Sequence, residues 1–84
     1  MKKVGKVTHY FGHPQVAVLN LSDKIKVGDK IKFVRDDEEL FEQEVSSLEV
    51  DHEKVDSAGK GDDIAMKVDK KVHEGVEVYL AEEE

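Results

Sequence analysis

The chain has 84 residues, with 13 Lys and Arg against 20 Asp and Glu for a formal charge of −7, no Cys, no Trp and a single Pro. Such a length supports one small core, burying only about 60–65% of the surface its unfolded form exposes, and excludes an elaborate buried active site. The missing cysteines exclude a disulfide framework, a thiolate nucleophile and a zinc ribbon, and no apolar run is long enough to span a bilayer.

From the N-terminus, Met1-Lys2-Lys3-Val4-Gly5-Lys6 runs into alternating polar sequence instead of the apolar core of a signal peptide. The expectation is a cytoplasmic protein with no membrane segment, a single domain over 1–84 whose acidic end, 81–84, is a disordered tail. Six pieces then follow as strands: Val4 to Phe11, Pro14 to Leu21, Asp29 to Arg35, Leu40 to Val50, Asp62 to Val68 and Val76 to Ala81. They are separated by glycine-bearing or acidic turns, such as Lys26-Val27-Gly28-Asp29, Asp36-Asp37-Glu38-Glu39 and Ala58-Gly59-Lys60-Gly61-Asp62. No helix is expected.

Period-2 alternation assigns the inward set as Val18, Ile31, Phe33, Val45, Leu48, Ile64, Met66 and Val78. In the long fourth piece Phe41 and Val45 share one parity and Leu48 and Val50 the other, which places a bulge or bend near Ser46-Ser47. Six short strands with no helix to cover an edge predict an all-β fold, a small closed six-stranded barrel, because closure removes exposed edges.

In order along the chain, Val16-Ala17-Val18-Leu19-Asn20-Leu21 with Ile25-Lys26-Val27-Gly28-Asp29-Lys30-Ile31, then Val45-Ser46-Ser47-Leu48, Ala58-Gly59-Lys60-Gly61-Asp62-Asp63-Ile64 and Glu74-Gly75-Val76-Glu77-Val78 resemble the second-domain β-barrel of translation-factor GTPases of the elongation factor Tu type. Closer still is the likeness to short translation elongation factor-like proteins and to the C-terminal barrel of collagenase-like peptidases, in which a start similar to Val4-Gly5-Lys6-Val7-Thr8-His9-Tyr10-Phe11 is common. The resemblance covers nearly the whole chain and implies the translation-factor second-domain barrel. Val76 departs from it, standing where the closing motif usually has Asp. At the Gly28-Asp29 and Gly61-Asp62 pairs a glycine can take positive φ while the Asp bonds local amides, so these four are assigned to turn structure.

The GTPase half of that family is missing. A P-loop needs G-x-x-x-x-G-K-[ST], and around Gly59-Lys60 the first glycine is replaced by Lys54 and the final hydroxyl by Gly61. Ser22, Ser46, Ser47 and Ser57 lie in turns or strands without a strand-turn-helix elbow, so no catalytic residue is assigned and the chain is expected not to be an enzyme. His9, His13, His52 and His73 have no diagnostic metal spacing, and Asp36-Asp37-Glu38-Glu39 lacks a calcium-loop glycine; neither a metal nor a cofactor is expected.

Charge is uneven: residues 1–35 carry eight basic and two acidic side chains, and the remainder is strongly acidic. Two function classes follow. The favoured one is a non-catalytic module docking onto a protein partner, namely a GTPase, a peptidase-like enzyme or a ribosomal component. The alternative is contact with tRNA or other single-stranded RNA ends, with Lys26, Lys30, Lys32 and Arg35 on phosphates and Tyr10 and Phe11 stacking on bases.

Overall fold

Short runs of alternating hydrophobicity hide their apolar parity by lying side by side and curling around a shared core. The computed structural model describes residues 2–81. In order they form β1 (Lys2–Phe11), β2 (Val16–Leu21), β3 (Ile25–Lys26), β4 (Lys30–Arg35), β5 (Glu38–Glu44), β6 (Leu48–Val50), β7 (Glu53–Val55), β8 (Ser57–Ala58), β9 (Asp63–Lys67) and β10 (Glu77–Leu80). No helix occurs among these residues. Eight strands form one antiparallel sheet in the order β5-β4-β10-β1-β2-β9-β6-β7, and β3 pairs with β8 in a second.

The core is one cluster: Val4 and Val7 of β1, Leu19 and Leu21 of β2, Ile31 and Phe33 of β4, Ile64 and Met66 of β9 and Val78 of β10, closed over by Ile25, Val45, Leu48 and Val72. Phe33 is fully buried and stacks on Phe41 at a ring separation of 4.6 Å. Seven of the eight residues expected inward are buried, and Val18 is the exception. It is half-buried and points outward, because β2 turns Ala17, Leu19 and Leu21 to the core. The run Val16-Ala17-Val18-Leu19 is apolar on both parities, so alternation alone could not choose.

The fourth expected piece is broken at residues 45–47 into β5 and β6, and the buried parity passes from Gln43 and Val45 to Leu48 across that break. The six expected strands become ten among the described residues, since β3, β7 and β8 are set by pairing rather than by pattern. β7 returns from β6 through Asp51 and His52, both at positive φ (52° and 67°), the conformation of a primed two-residue hairpin turn.

Strand pairing leaves β5 and β7 as the two ends of the large sheet. A side chain spans from β5 to the end of β9: buried Gln43 donates from Nε2 to the Lys67 carbonyl at 3.1 Å, and its Oε1 accepts the Asp69 N–H at 2.8 Å. Its carboxamide does there what a ladder would do elsewhere. At the chain end, Ala81 is buried and its N–H donates to the Lys30 carbonyl at 2.9 Å, so the first residue of the expected tail is packed. Residues 82–84 lie outside the described residues.

Three turns share one construction. In Lys26-Val27-Gly28-Asp29 and Gly59-Lys60-Gly61-Asp62 the fourth residue's N–H donates back to the first residue's carbonyl, at 3.1 and 3.0 Å. Gly28 and Gly61 sit at φ +100° and +90°, which a side chain would strain. The aspartates reach back to the N–H of Lys26 (3.0 Å) and of Gly59 (2.9 Å). The third turn, His73-Glu74-Gly75-Val76, keeps the glycine at φ +93° and the backbone bond at 3.2 Å, but Val76 has no carboxylate to reach back and is buried instead.

Candidate docking surface

The outside of the sheet divides into two faces. On the first, formed by β5, β4, β10 and the start of β1, register sets each cation of β4 against a carboxylate of β5: Lys30 opposite Glu44, Lys32 opposite Glu42 and Arg35 opposite Glu38. Lys32 Nζ also lies 3.5 Å from Glu39 Oε1. Across β10, Lys3 pairs with Glu77 at 3.3 Å, and the Tyr79 hydroxyl donates to the same carboxylate at 3.0 Å. These contacts, the Tyr79 hydroxyl first and Lys3 next, hold the Glu77 carboxyl below the ordinary glutamate range, while the bond to Glu77 pushes the Tyr79 phenol up. A bond from the Lys24 N–H, helped by the charge of Lys2, likewise lowers Asp23.

The residues proposed for RNA are not brought together. Lys26 turns into its own loop, with Nζ 2.7 Å from Asp29 Oδ1. Lys32 lies level with Lys3 through Tyr79, so the start of β1, not its end, flanks the β4 cations. Tyr10 and Phe11 lie at the far end of β1 and point to opposite sides: Tyr10 pairs with Ala17 and packs against the core, whereas Phe11 pairs with Val16 and is 48% exposed. Sequence reasoning missed Lys3, which only the β1–β10–β4 pairing carries to this face, and Lys6, which stands on the border between the two faces, opposite Glu77 on one side and Asn20 on the other.

The second face is the outside of β1, β2 and β9. Three cross-strand rows face outward there: Lys6–Asn20–Asp63, His9–Val18–Ala65 and Phe11–Val16–Lys67, with Glu49 of β6 extending the middle row. Val18 and Ala65 hold the middle row and Phe11 and Val16 carry the apolar surface on to the end of the strands, with Lys6, Asp63, Glu49 and Lys67 around it. Asn20 Nδ2 donates to Asp63 Oδ1 at 2.8 Å, and the rings of His9 and Phe11 meet edge to face at 4.4 Å. An apolar centre with a polar rim is the anatomy of a protein–protein contact. A shallow hollow of about 140 Å³ among Val16, Ser47, Glu49, Ala65, Met66 and Lys67 indents its β9 side. The signal was in the sequence: an antiparallel strand with one wet face should alternate, and β2 begins apolar on both parities.

Beside this face His9, Tyr10, Lys71, Val72, His73 and Glu74 surround an open hollow of about 400 Å³, with His9 Nδ1 3.7 Å from Glu74 Oε2. No group of three metal-ligating side chains occurs among the described residues, nor is any of their helices long and apolar enough to cross a membrane.

No family model matches the chain. An uncharacterised protease of Methanocaldococcus jannaschii is 31% identical over 81 residues, which are 96% of this chain and 20% of that protein. The chain thus spans about a fifth of the length of the curated relative it matches. Two crystal structures of the C-terminal domain of a Geobacillus thermoleovorans protein, described as a U32 peptidase, superpose closely. The native form gives a TM-score of 0.88 at 17% identity, covering 96% of this chain and 93% of that one. The selenomethionine form gives 0.87 at 17%, covering 94% and 99%. The fold is therefore that of the U32 peptidase C-terminal domain. Of the two likenesses seen in the sequence, the peptidase one is the one these comparisons support.

Proposed function

We propose that this chain is a non-catalytic docking module that works beside a peptidase-like protein. The observation that carries this reading is the alignment of almost the whole chain with one fifth of a longer protease. On this reading the matching segment supplies contact and the rest of such a protease the chemistry. Docking onto a GTPase or a ribosomal component rests only on the translation-factor likeness and ranks below the peptidase-like partner.

The RNA alternative ranks lower still. Each β4 cation stands opposite a glutamate in the ladder and Lys32 is already paired with Glu39, so acidic side chains line the surface a phosphate would approach, and the net charge of −7 opposes long-range attraction. The test is retention of a purified peptidase-like protein that lacks a segment matching this chain on the immobilised chain. Retention at micromolar concentration is the expected result. No retention, together with micromolar binding of a single-stranded acceptor-end RNA that is lost in Lys30→Glu with Lys32→Glu, would overturn the reading.

A further inference from the structure

The rim of the apolar face is self-complementary. Lys6 and Asp63 occupy opposite ends of one row, on β1 and β9, and Phe11 and Lys67 occupy opposite ends of another, with β2 between them in both. A two-fold axis lying in the face and running along β2 exchanges the β1 and β9 columns of two facing copies. That operation sets Lys6 of one copy opposite Asp63 of the other, and Lys67 opposite the Phe11 ring, each twice. It also lays Val16 on Val16 and Val18 on Val18, which removes from water the apolar surface an exposed strand face should not carry. A two-fold running across the strands would set Asp63 against Lys67 but Asn20 against Val16, and so lose the apolar match that the axis along β2 keeps. Aligned sheet-on-sheet packing is an ordinary way for two such faces to meet, and Lys67 over Phe11 is a cation–π contact.

We propose that the outer face of β1, β2 and β9 is a self-association surface whose occupant is a second copy of this chain, related by a two-fold axis along β2. The contact is weak. Four apolar side chains cover far less than the roughly 800 Å² per partner of a standard interface. Glu49, two strands from the axis, finds no cation opposite it, and each copy carries a charge of −7. The proposal does not depend on the peptidase-like partner, because it is tested with the chain alone.

Sedimentation equilibrium at physiological salt should show the mean mass rising toward twice the monomer, with half-association on the order of 100 µM. Amide shifts in ¹⁵N spectra should move with concentration at Phe11, Val16, Val18 and Ala65 and stay fixed at Lys30 and Lys32. Val18→Lys should hold the protein monomeric with an unchanged melting profile. Asp63→Lys should weaken association by about tenfold, and adding Lys6→Asp should restore most of it, a reciprocity that only the axis along β2 provides. If Val18→Lys disturbs folding, this charge-exchange pair carries the test. Monomer mass up to about 1 mM, association indifferent to Val18→Lys, or an Asp63→Lys defect that Lys6→Asp leaves uncorrected would each overturn the proposal.

Discussion

One sheet supports two unlike exteriors. Outside β4, β5 and β10 every cation of β4 has a carboxylate across the ladder, and charge covers most of the surface, with Leu40 the one exposed large apolar side chain of these strands. Outside β1, β2 and β9 the charges stand at the perimeter and leave a continuous apolar surface of Phe11, Val16, Val18 and Ala65. The first is what water requires of an antiparallel sheet; the second is what a protein surface requires. The lesson concerns charge counting: the basic N-terminal third of the sequence looks like an anion site only until the ladder places an acidic strand beside it.

Both exteriors ride on one core, so the largest effect should come from a residue they share. Phe33 is fully buried and stacked on Phe41. Phe33→Ala is expected to cost about 3–5 kcal/mol, from lost transfer free energy plus an unfilled cavity. Urea unfolding followed by circular dichroism and by the fluorescence of Tyr10 and Tyr79 should then give coincident, earlier transitions. Separate transitions would mean that the two halves have separate cores.

Next in size is the link between the halves. Gln43→Leu removes the carboxamide that serves the Lys67 carbonyl and the Asp69 N–H, leaving two backbone groups at the seam without partners. A loss of about 1–3 kcal/mol is expected. Hydrogen exchange should show the Asp69 amide losing protection ahead of the β1–β2 ladder; equal loss everywhere would make Gln43 an ordinary core residue.

These two residues mark what was legible. Phe33 alternates with lysines and could be assigned inward from pattern alone, as could Ile31, Ile64 and Met66. Gln43 could not: a glutamine within the acidic run Glu42-Gln43-Glu44 has the composition of a solvated strand, and only the fold reveals that it replaces a ladder. The Asp51-His52 hairpin was hidden because its positive-φ positions hold no glycine. The apolar docking face was half visible. Of its two valines Val18 is the one that alternation assigns inward, since a run apolar on both parities does not say which side the core takes.

Smaller effects should separate the two exteriors by their response to salt. Lys32→Ala breaks an exposed pair with Glu39 and is expected to cost at most about 1 kcal/mol at low ionic strength, vanishing as salt screens the interaction. Val18→Thr, on the other face, should lie within about 0.5 kcal/mol at any salt concentration. Thermal melts of the two variants at low and high salt make the comparison, and a salt-independent Lys32 effect would show that its aliphatic stem matters more than its charge.

The smallest effect is in pH, and it belongs to the charged exterior alone. Glu77 accepts from the Tyr79 hydroxyl and pairs with Lys3, and both lower its carboxyl in the folded state. A depressed folded pKa means that the unfolded chain binds the proton more readily. The contribution is therefore fully present above the ordinary glutamate value of about 4.3 and is lost as pH falls through the lower folded one. Tyr79 runs the other way: its phenol is raised by Glu77, so its contribution is complete below the ordinary tyrosine value of about 10 and is lost as pH climbs through the folded one. Tyr79→Phe removes both at once. Carboxyl-detected titration should then find Glu77 moved up toward the ordinary value, with Lys3 still holding it partly down, and the alkaline decline in stability should weaken. Because Glu77 is solvent-facing, the change in stability is small, and the titration is the more sensitive reading. An unmoved Glu77 in the Phe variant would assign its depression to Lys3 and reduce the Tyr79 bond to a contact without electrostatic weight.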